Sequence, residues 1–441
     1  MSDIKPGRLS AEQLAVNFDD LVPPLGRKKA LVEASRCYFC HDAPCIEACP
    51  TGIDIPSFIR KIQTNNVKGS AMDILSANIM GGTCARVCPT EILCEQVCVR
   101  NTQEDKPVKI GQLQRYSTDW LFDQQIQPFT RAASTGKTVA VIGAGPAGLA
   151  CAHALAQHGH TITVFERRAK AGGLNEHGIA AYKMAHDFAA REVDFITALG
   201  GIEIRYGQSL GEDITLAELK AQFDAVFIGT GLGDTNRLGL TNEAVSGVMD
   251  AVDYIEQLRQ SPTKADLAIG RDVVVIGGGN TAIDISVQAK RLGAKTVTLA
   301  YRRGPEAMSA TAHEQEIAQL NGVILRHWAM PTQIVAKNDA LSAVALETTR
   351  IGADGSLEGT GEVEVLKADQ LFKAIGQSLI AEGLQDLVFE GKKLAVNEAR
   401  ATTLEGVYAG GDAIGLSEDL TVAAVEDGKI AARSIHAHLS A

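Results

Sequence analysis

The chain has 441 residues, 45% of them apolar, and a formal net charge of −11. That length and composition suit about three packed domains of roughly 150 residues each. Residues 1–133 balance 15 basic against 15 acidic side chains, and the excess acid lies beyond them, a balance that argues against nucleic acid, whose binders usually show a basic stripe. The longest apolar run, 138–156, contains four glycines or prolines and a histidine, which marks a buried strand and helix and not a membrane span. The first residues carry Asp3, Lys5 and Arg8 without an apolar stretch. A cytoplasmic protein with reduced cysteines is therefore expected, with no secretory signal.

Residues 1–133 are rich in helix formers, with amphipathic runs at 31–40, 54–63 and 71–80, and predict a helical domain. Eight of the nine cysteines fall here, in two groups: Cys37, Cys40, Cys45 and Cys49, then Cys84, Cys88, Cys94 and Cys98. Structural zinc sites draw two short Cys pairs from separated loops. The first group instead runs CxxCx4CxxxCP, closed by Pro50, in the style of ferredoxin cluster loops, whose fourth cysteine serves a different cluster. Two [4Fe-4S] clusters are expected, with two zinc ions as the alternative. Counted alone, eight thiols for two clusters leave none spare.

A polar linker around 130–137 leads into a β-branched strand, 138–142, and the turn GAGPAGLA. Gly143, Gly145 and Gly148, with Pro146 and Ala147 between them, form a GxGxxG loop opening a helix. The next strand ends in Glu166, 23 residues after the first glycine, placed to accept from a ribose hydroxyl. GGL at 172–174 follows, supplying Gly173 and Leu174. Near the C-terminus a strand runs into GGDAIG, where Gly411 and Asp412 resemble the turn that holds the flavin ribityl chain in flavoproteins with two dinucleotide folds. FAD is the expected occupant.

The pattern recurs at 272–276, running into GGGNTA: Gly277, Gly279, Asn280, Thr281 and Ala282, with alanine in the third glycine's place. This turn should bind a nicotinamide dinucleotide. Its second strand ends in Tyr301, Arg302 and Arg303 where an acid would favour NAD, and arginine suits a 2′-phosphate, so these residues lean toward NADP. Strand–glycine segments at 225–233 and 371–377 flank this second fold, which reads as inserted into the first. The expected domains are 1–133 for the clusters, 134–233 plus 372–441 for FAD, and 234–371 for NAD(P). The fold class is a helical iron–sulfur domain followed by two α/β Rossmann-like domains, the second inserted in the first.

Flavin, nicotinamide and iron–sulfur sites together convert a hydride into single electrons, and no catalytic acid–base pair is required. Pyridine-nucleotide disulfide reductases share both dinucleotide folds but need a redox CxxC beside the flavin. Here that region holds Cys151 alone, which reads as a buried packing residue.

The cysteine spacing, PCIEACPTGIDIPSFI, GGTCARVCPTEILCEQVC, VIGAGPAGLACAHALA, VVVIGGGNTAIDIS and YAGGDAIG together resemble the electron-entry part of dihydropyrimidine dehydrogenases, above all the separate flavin subunit of the bacterial NAD-dependent enzymes. The resemblance implies one cluster held by Cys37, Cys40, Cys45 and Cys98. It implies a second held by Cys49, Cys88, Cys94 and Gln114, with Cys84 not a ligand. It implies NAD(H) as the nicotinamide, against the lean of Arg302 and Arg303 toward NADP(H). It also implies a partner chain carrying FMN, further clusters and the uracil or thymine site, since the three modules leave no room for a barrel. The expected assembly is a hetero-oligomer without nucleic acid or membrane. The glutamate synthase small subunit is the rival resemblance, and a zinc-stabilised nucleotide-binding protein without activity is the alternative of a different class.

Overall fold

The computed structural model describes residues 3–441. It divides into two compact units, one made of the residues up to Leu21, His177–Ala185 and Asp234–Ser378, the other of Val22–Glu176, His186–Gly233 and Leu379–Ala441. Among the described residues no helix is long and apolar enough to cross a membrane.

The second unit begins with the cysteine region. Helix Ile55–Gln63 forms because Ile55, Phe58, Ile59 and Ile62 repeat at helical spacing and all are buried, while Asp54 caps its start by accepting from the Ser57 N–H at 3.0 Å. Burying those four side chains is worth about 1.5–3 kcal/mol each before entropy is counted. Helices Val67–Ala77 and Ile110–Asp123 close the same core with Ile74 and Leu113. The run 31–40 departs from the expected helix. The helix is Arg27–Ala34, and Cys37 to Cys40 form a tight loop in which Phe39 takes a left-handed φ of 54°. Similarly, the run 71–80 ends as helix at Ala77, and Asn78 turns the chain into the next short helix, Gly81–Val87.

The rest of this unit is a parallel five-stranded sheet ordered Val407–Ala409, Ala225–Ile228, Thr138–Ile142, Thr161–Glu166, Ile202–Tyr206. Its central strands are short apolar runs because both faces are covered. Helix Pro146–Gln157 packs on one face, and the C-terminal helix Thr421–Ser440 lies against it.

The first unit repeats the plan: a parallel sheet ordered Val248–Asp250, Gln370–Lys373, Asp272–Ile276, Thr296–Ala300, Ile324–Arg326. The unit departs from the sequence reading in taking His177–Ala185 from the expected FAD range and in running to Ser378, past the expected boundary at 371. Two further features differ. Helix Ala11–Asn17, closed by a Ser10–Gln13 capping box, belongs to this unit and not to the cysteine region, because Leu14 and Phe18 are buried in the core with Ile255 and Val273. An antiparallel sheet of Ala329–Lys337, Ala340–Ile351 and Leu357–Lys367 was also not expected. The third strand is exposed over most of its length and so carries no apolar periodicity.

Candidate functional sites

In the second unit, Gly145 caps helix Pro146–Gln157 with extended backbone and Pro146 opens it, so the first amide groups of the helix point from the turn without side-chain partners. Gly148 is required by close approach: a Cβ there would lie 2.0 Å from the Gly143 carbonyl oxygen. Glu166 is buried at the end of its strand, and its two oxygens accept from the Ala144 N–H and the Arg168 N–H, each at 2.8 Å. The carboxylate is thus fixed beside the turn by backbone donors, with lone pairs left for a hydroxyl. Gly172 donates to the Ala144 carbonyl at 2.8 Å, which brings Gly173 and the exposed Leu174 against the same turn. Asp412 sits in the half-buried turn after Val407–Ala409, and burial, then repulsion from Asp419 and Asp427, pushes its carboxyl up to about 6. Asp427 was not singled out from sequence. It is buried, accepts from the Gly411 N–H at 3.0 Å, and is paired with Arg400 at 2.8 Å, so it holds the GGD turn in place.

In the first unit, Gly279 caps helix Asn280–Arg291, leaving Asn280 exposed and Thr281 half-buried at its start, and Ala282 is buried beneath. Gly277 has φ +153°, and a Cβ there would meet the Ala374 carbonyl oxygen at 2.1 Å. The Tyr301 ring lies against Gly278 and its hydroxyl donates to the Ala307 carbonyl at 2.6 Å. Arg302 is exposed and Arg303 half-exposed at the strand end, and among the described residues no hydrogen bond or ion pair fixes either guanidinium. Behind the turn, in a cluster that sequence reasoning missed, Lys183 pairs with Asp284 at 2.7 Å and Glu314 at 2.6 Å.

Cys37, Cys40, Cys45 and Cys98 line one small cavity of about 30 Å³, walled otherwise mostly by apolar side chains such as Ile55, Ile59 and Val108. Burial and then the sulfurs of Cys37, Cys98 and Cys40 push the Cys45 thiol up to about 12. The Phe39 N–H points at the Cys37 sulfur at 3.4 Å, the kind of donor that favours a thiolate ligand. Among the described residues no three metal-binding side chains converge on a single-ion site.

Burial, followed by the sulfurs of Cys84, Cys94 and Cys49, raises the Cys88 thiol strongly. Gln114 is buried on helix Ile110–Asp123 and its amide nitrogen donates to the Gly81 carbonyl at 2.7 Å, which leaves the amide oxygen as the atom able to meet a metal. Cys84 accepts from the Asn78 amide at 3.2 Å. Cys49 is 3.3 Å from the Thr51 hydroxyl. Sequence reasoning also missed Lys429, which donates to the Ala77 carbonyl at 2.6 Å from the C-terminal helix, and Asn175, which joins Thr421 at 3.0 Å to the Met80 sulfur. All are single polar residues without spacing to announce them. Cys151 is buried in helix Pro146–Gln157, far along the chain from any second thiol.

Two glycine turns at helix starts, an acid at the end of the first fold's second strand and grouped cysteines define a pyridine-nucleotide oxidoreductase with an iron–sulfur domain. Residues 137–428 match the pyridine nucleotide-disulphide oxidoreductase family, and residues 14–126 match dihydropyrimidine dehydrogenase domain II, 4Fe-4S cluster. The NAD-dependent dihydropyrimidine dehydrogenase subunit PreT of Escherichia coli K12 is 35% identical over 96% of this chain and 97% of its own length, and its Salmonella typhi homologue is 33% identical over the same shares. The NADPH glutamate synthase small chain of E. coli K12 is 33% identical over 95% of this chain and 93% of its own. The chain belongs to this PreT-like family of NAD-dependent dihydropyrimidine dehydrogenase subunits and is an oxidoreductase with iron–sulfur, flavin-type and nicotinamide sites. Mycobacterium tuberculosis FprA in complex with NADPH shares the fold at TM-score 0.58 and 17% identity, over 69% of this chain and 85% of that one. Lactococcus lactis thioredoxin reductase does so at 0.55 and 22%, over 69% and 99%.

Proposed function

We propose that this chain is the electron-input subunit of a dihydropyrimidine dehydrogenase. Bound flavin would supply hydride acceptance from a nicotinamide dinucleotide, and bound clusters would supply single-electron transfer toward a partner. FAD would rest on Gly143, Gly145, Pro146, Ala147 and Gly148, with Glu166 accepting from its ribose, Gly173 and Leu174 flanking it, and Gly411 and Asp412 at its ribityl chain. NAD(H) would rest on Gly277, Gly279, Asn280, Thr281 and Ala282, with Arg302 exposed and Arg303 half-exposed at the strand end. The second dinucleotide fold is read as inserted in the first, a reading supported by the return of Val407–Ala409 to the sheet begun by Thr138–Ile142.

Two [4Fe-4S] clusters are proposed, one on Cys37, Cys40, Cys45 and Cys98, the other on Cys49, Cys88, Cys94 and Gln114. The observation that carries the proposal is the cavity shared by Cys98 and three cysteines distant from it in sequence, within the same compact unit as the flavin-type turn. The expected partner is an FMN- and iron–sulfur-bearing subunit reducing uracil or thymine, in the cytoplasm. The glutamate synthase reading stays as the second, favoured by the 33% identity to that small chain. Co-purification followed by substrate-dependent NADH oxidation separates them: uracil dependence is expected, and dependence on glutamine plus 2-oxoglutarate overturns the first reading. A colourless protein without iron overturns both. For the ligand set, Cys84→Ser should keep the wild-type iron content while Cys88→Ser loses about half of it, and equal loss in both would refute the glutamine assignment.

A further inference from the structure

The helix Gly81–Val87 ends at Cys88 and offers its first carbonyl, Gly81, to the Gln114 amide. Two of the four positions proposed for the second cluster therefore depend on where this short helix sits. A residue of the flavin fold holds it there. Glu192, on helix Phe188–Thr197, is 1% exposed, and its carboxylate accepts from the Gly82 N–H and the Thr83 N–H, each at 3.0 Å, and from the Thr83 hydroxyl. A second clamp joins the same two helices: the Arg86 guanidinium lies 3.4 Å over the Phe188 ring while pairing with Asp119 at 2.7 Å.

Packing alone does not require a carboxylate here. Burying one costs several kcal/mol unless its lone pairs are filled, and an apolar side chain could close the same space. What the carboxylate adds is direction: three donors on consecutive residues fix the rotation and depth of the helix relative to the flavin fold, and hence the setting of Cys88 and Gln114.

We propose that Glu192 is a positioning residue that registers the second cluster's ligand helix on the flavin fold and so sets electron delivery between them. This rests on the iron–sulfur reading above. Outer partners that orient metal ligands typically account for about 10–100-fold in affinity or activity. Glu192→Ala should therefore slow cluster reduction by NADH about tenfold or more and alter the EPR signature of the second cluster. Glu192→Gln keeps an oxygen for both N–H donors and should restore the signature and most of the rate. Stopped-flow on the full chain follows the flavin and cluster bands separately, so NADH reduction of the flavin serves as the internal control.

An unchanged EPR signature and cluster rate in Glu192→Ala overturns the proposal, as does an equal defect in Glu192→Gln. Should Glu192→Ala fail to fold, Thr83→Val removes one of the three donors and must shift the same signature to a smaller extent; silence there also overturns it. Wild-type protein without iron would fail the iron–sulfur reading itself, whereas iron-loaded wild type with a silent variant fails only the role of Glu192.

Discussion

Replacing Lys183 by methionine tests the buried ionic cluster behind the nicotinamide-type turn. Lys183 lies between Asp284, on the helix that begins at the turn, and Glu314, at contacts of 2.7 and 2.6 Å, with all three side chains largely buried. Burial alone would lower the ammonium, but the two carboxylates reverse this and hold it above the ordinary lysine range. Burial pushes Glu314 upward, against the pull of Lys183 and with the push of Asp284. At an effective dielectric of about 20 each contact is worth roughly 6 kcal/mol before desolvation, and breaking such a buried pair by removing one partner typically costs about 3–5 kcal/mol.

Methionine keeps the apolar stem and takes the cation from both carboxylates, leaving Asp284 only its bonds from the Ala180 N–H and the Tyr182 hydroxyl. Burial already pushes Glu314 upward and no ammonium then pulls against it, so its folded pKa lies above the unfolded one and the deficit, full at high pH, shrinks as falling pH protonates Glu314. Denaturant unfolding, with hydrogen exchange across Asn280–Arg291 to locate the effect, should show a loss of about 3–5 kcal/mol at pH 8 and a smaller loss as the pH is lowered. The double variant Lys183→Met with Glu314→Gln should recover part of the loss at pH 8. A deficit below about 1 kcal/mol, or one that does not change with pH, would refute the reasoning.

Gly148→Ala should abolish FAD retention, read as the flavin absorbance of the purified protein, because its Cβ would sit 2.0 Å from a backbone oxygen that no rotamer can move. Retained stoichiometric flavin would show that the turn yields. Asp412, raised to about 6 by burial, should lose its charge as pH falls through that value and with it the charge-assisted acceptor for a flavin hydroxyl. FAD affinity measured by fluorescence should then drop several-fold below pH 6, and Asp412→Asn should flatten the profile. Arg302→Ala with Arg303→Ala should leave flavin reduction by NADH near wild type and cut reduction by NADPH about tenfold or more, as expected for guanidiniums that serve only a 2′-phosphate. Equal loss with both dinucleotides would place the pair on a shared phosphate. Phe58→Ala, in the core under the cysteine cavity, should cost about 3–5 kcal/mol, read by denaturant unfolding.

Local patterns made much of this protein legible from its sequence. Both glycine turns follow strands at the expected places, Thr138–Ile142 and Asp272–Ile276, because a strand–turn–helix unit is specified by contiguous residues whose backbone needs leave few alternatives. Cysteine grouping was legible for the same reason, since thiols at short spacing have few structural uses in a reduced protein. What the sequence could not decide was partnership across distance. Leu14 and Phe18 look like any amphipathic helix, and only packing assigns them to the nicotinamide-type core instead of the cysteine region. Glu192, Asp427 and Lys183 are single charged residues, ordinary in sequence, whose roles exist only where folding buries them against donors or counter-ions from other segments. Short-range spacing determined which chemistry this chain can hold. Tertiary structure alone decided which residues hold that chemistry in register, because the cost of burying a charge is met by partners that sequence proximity does not reveal.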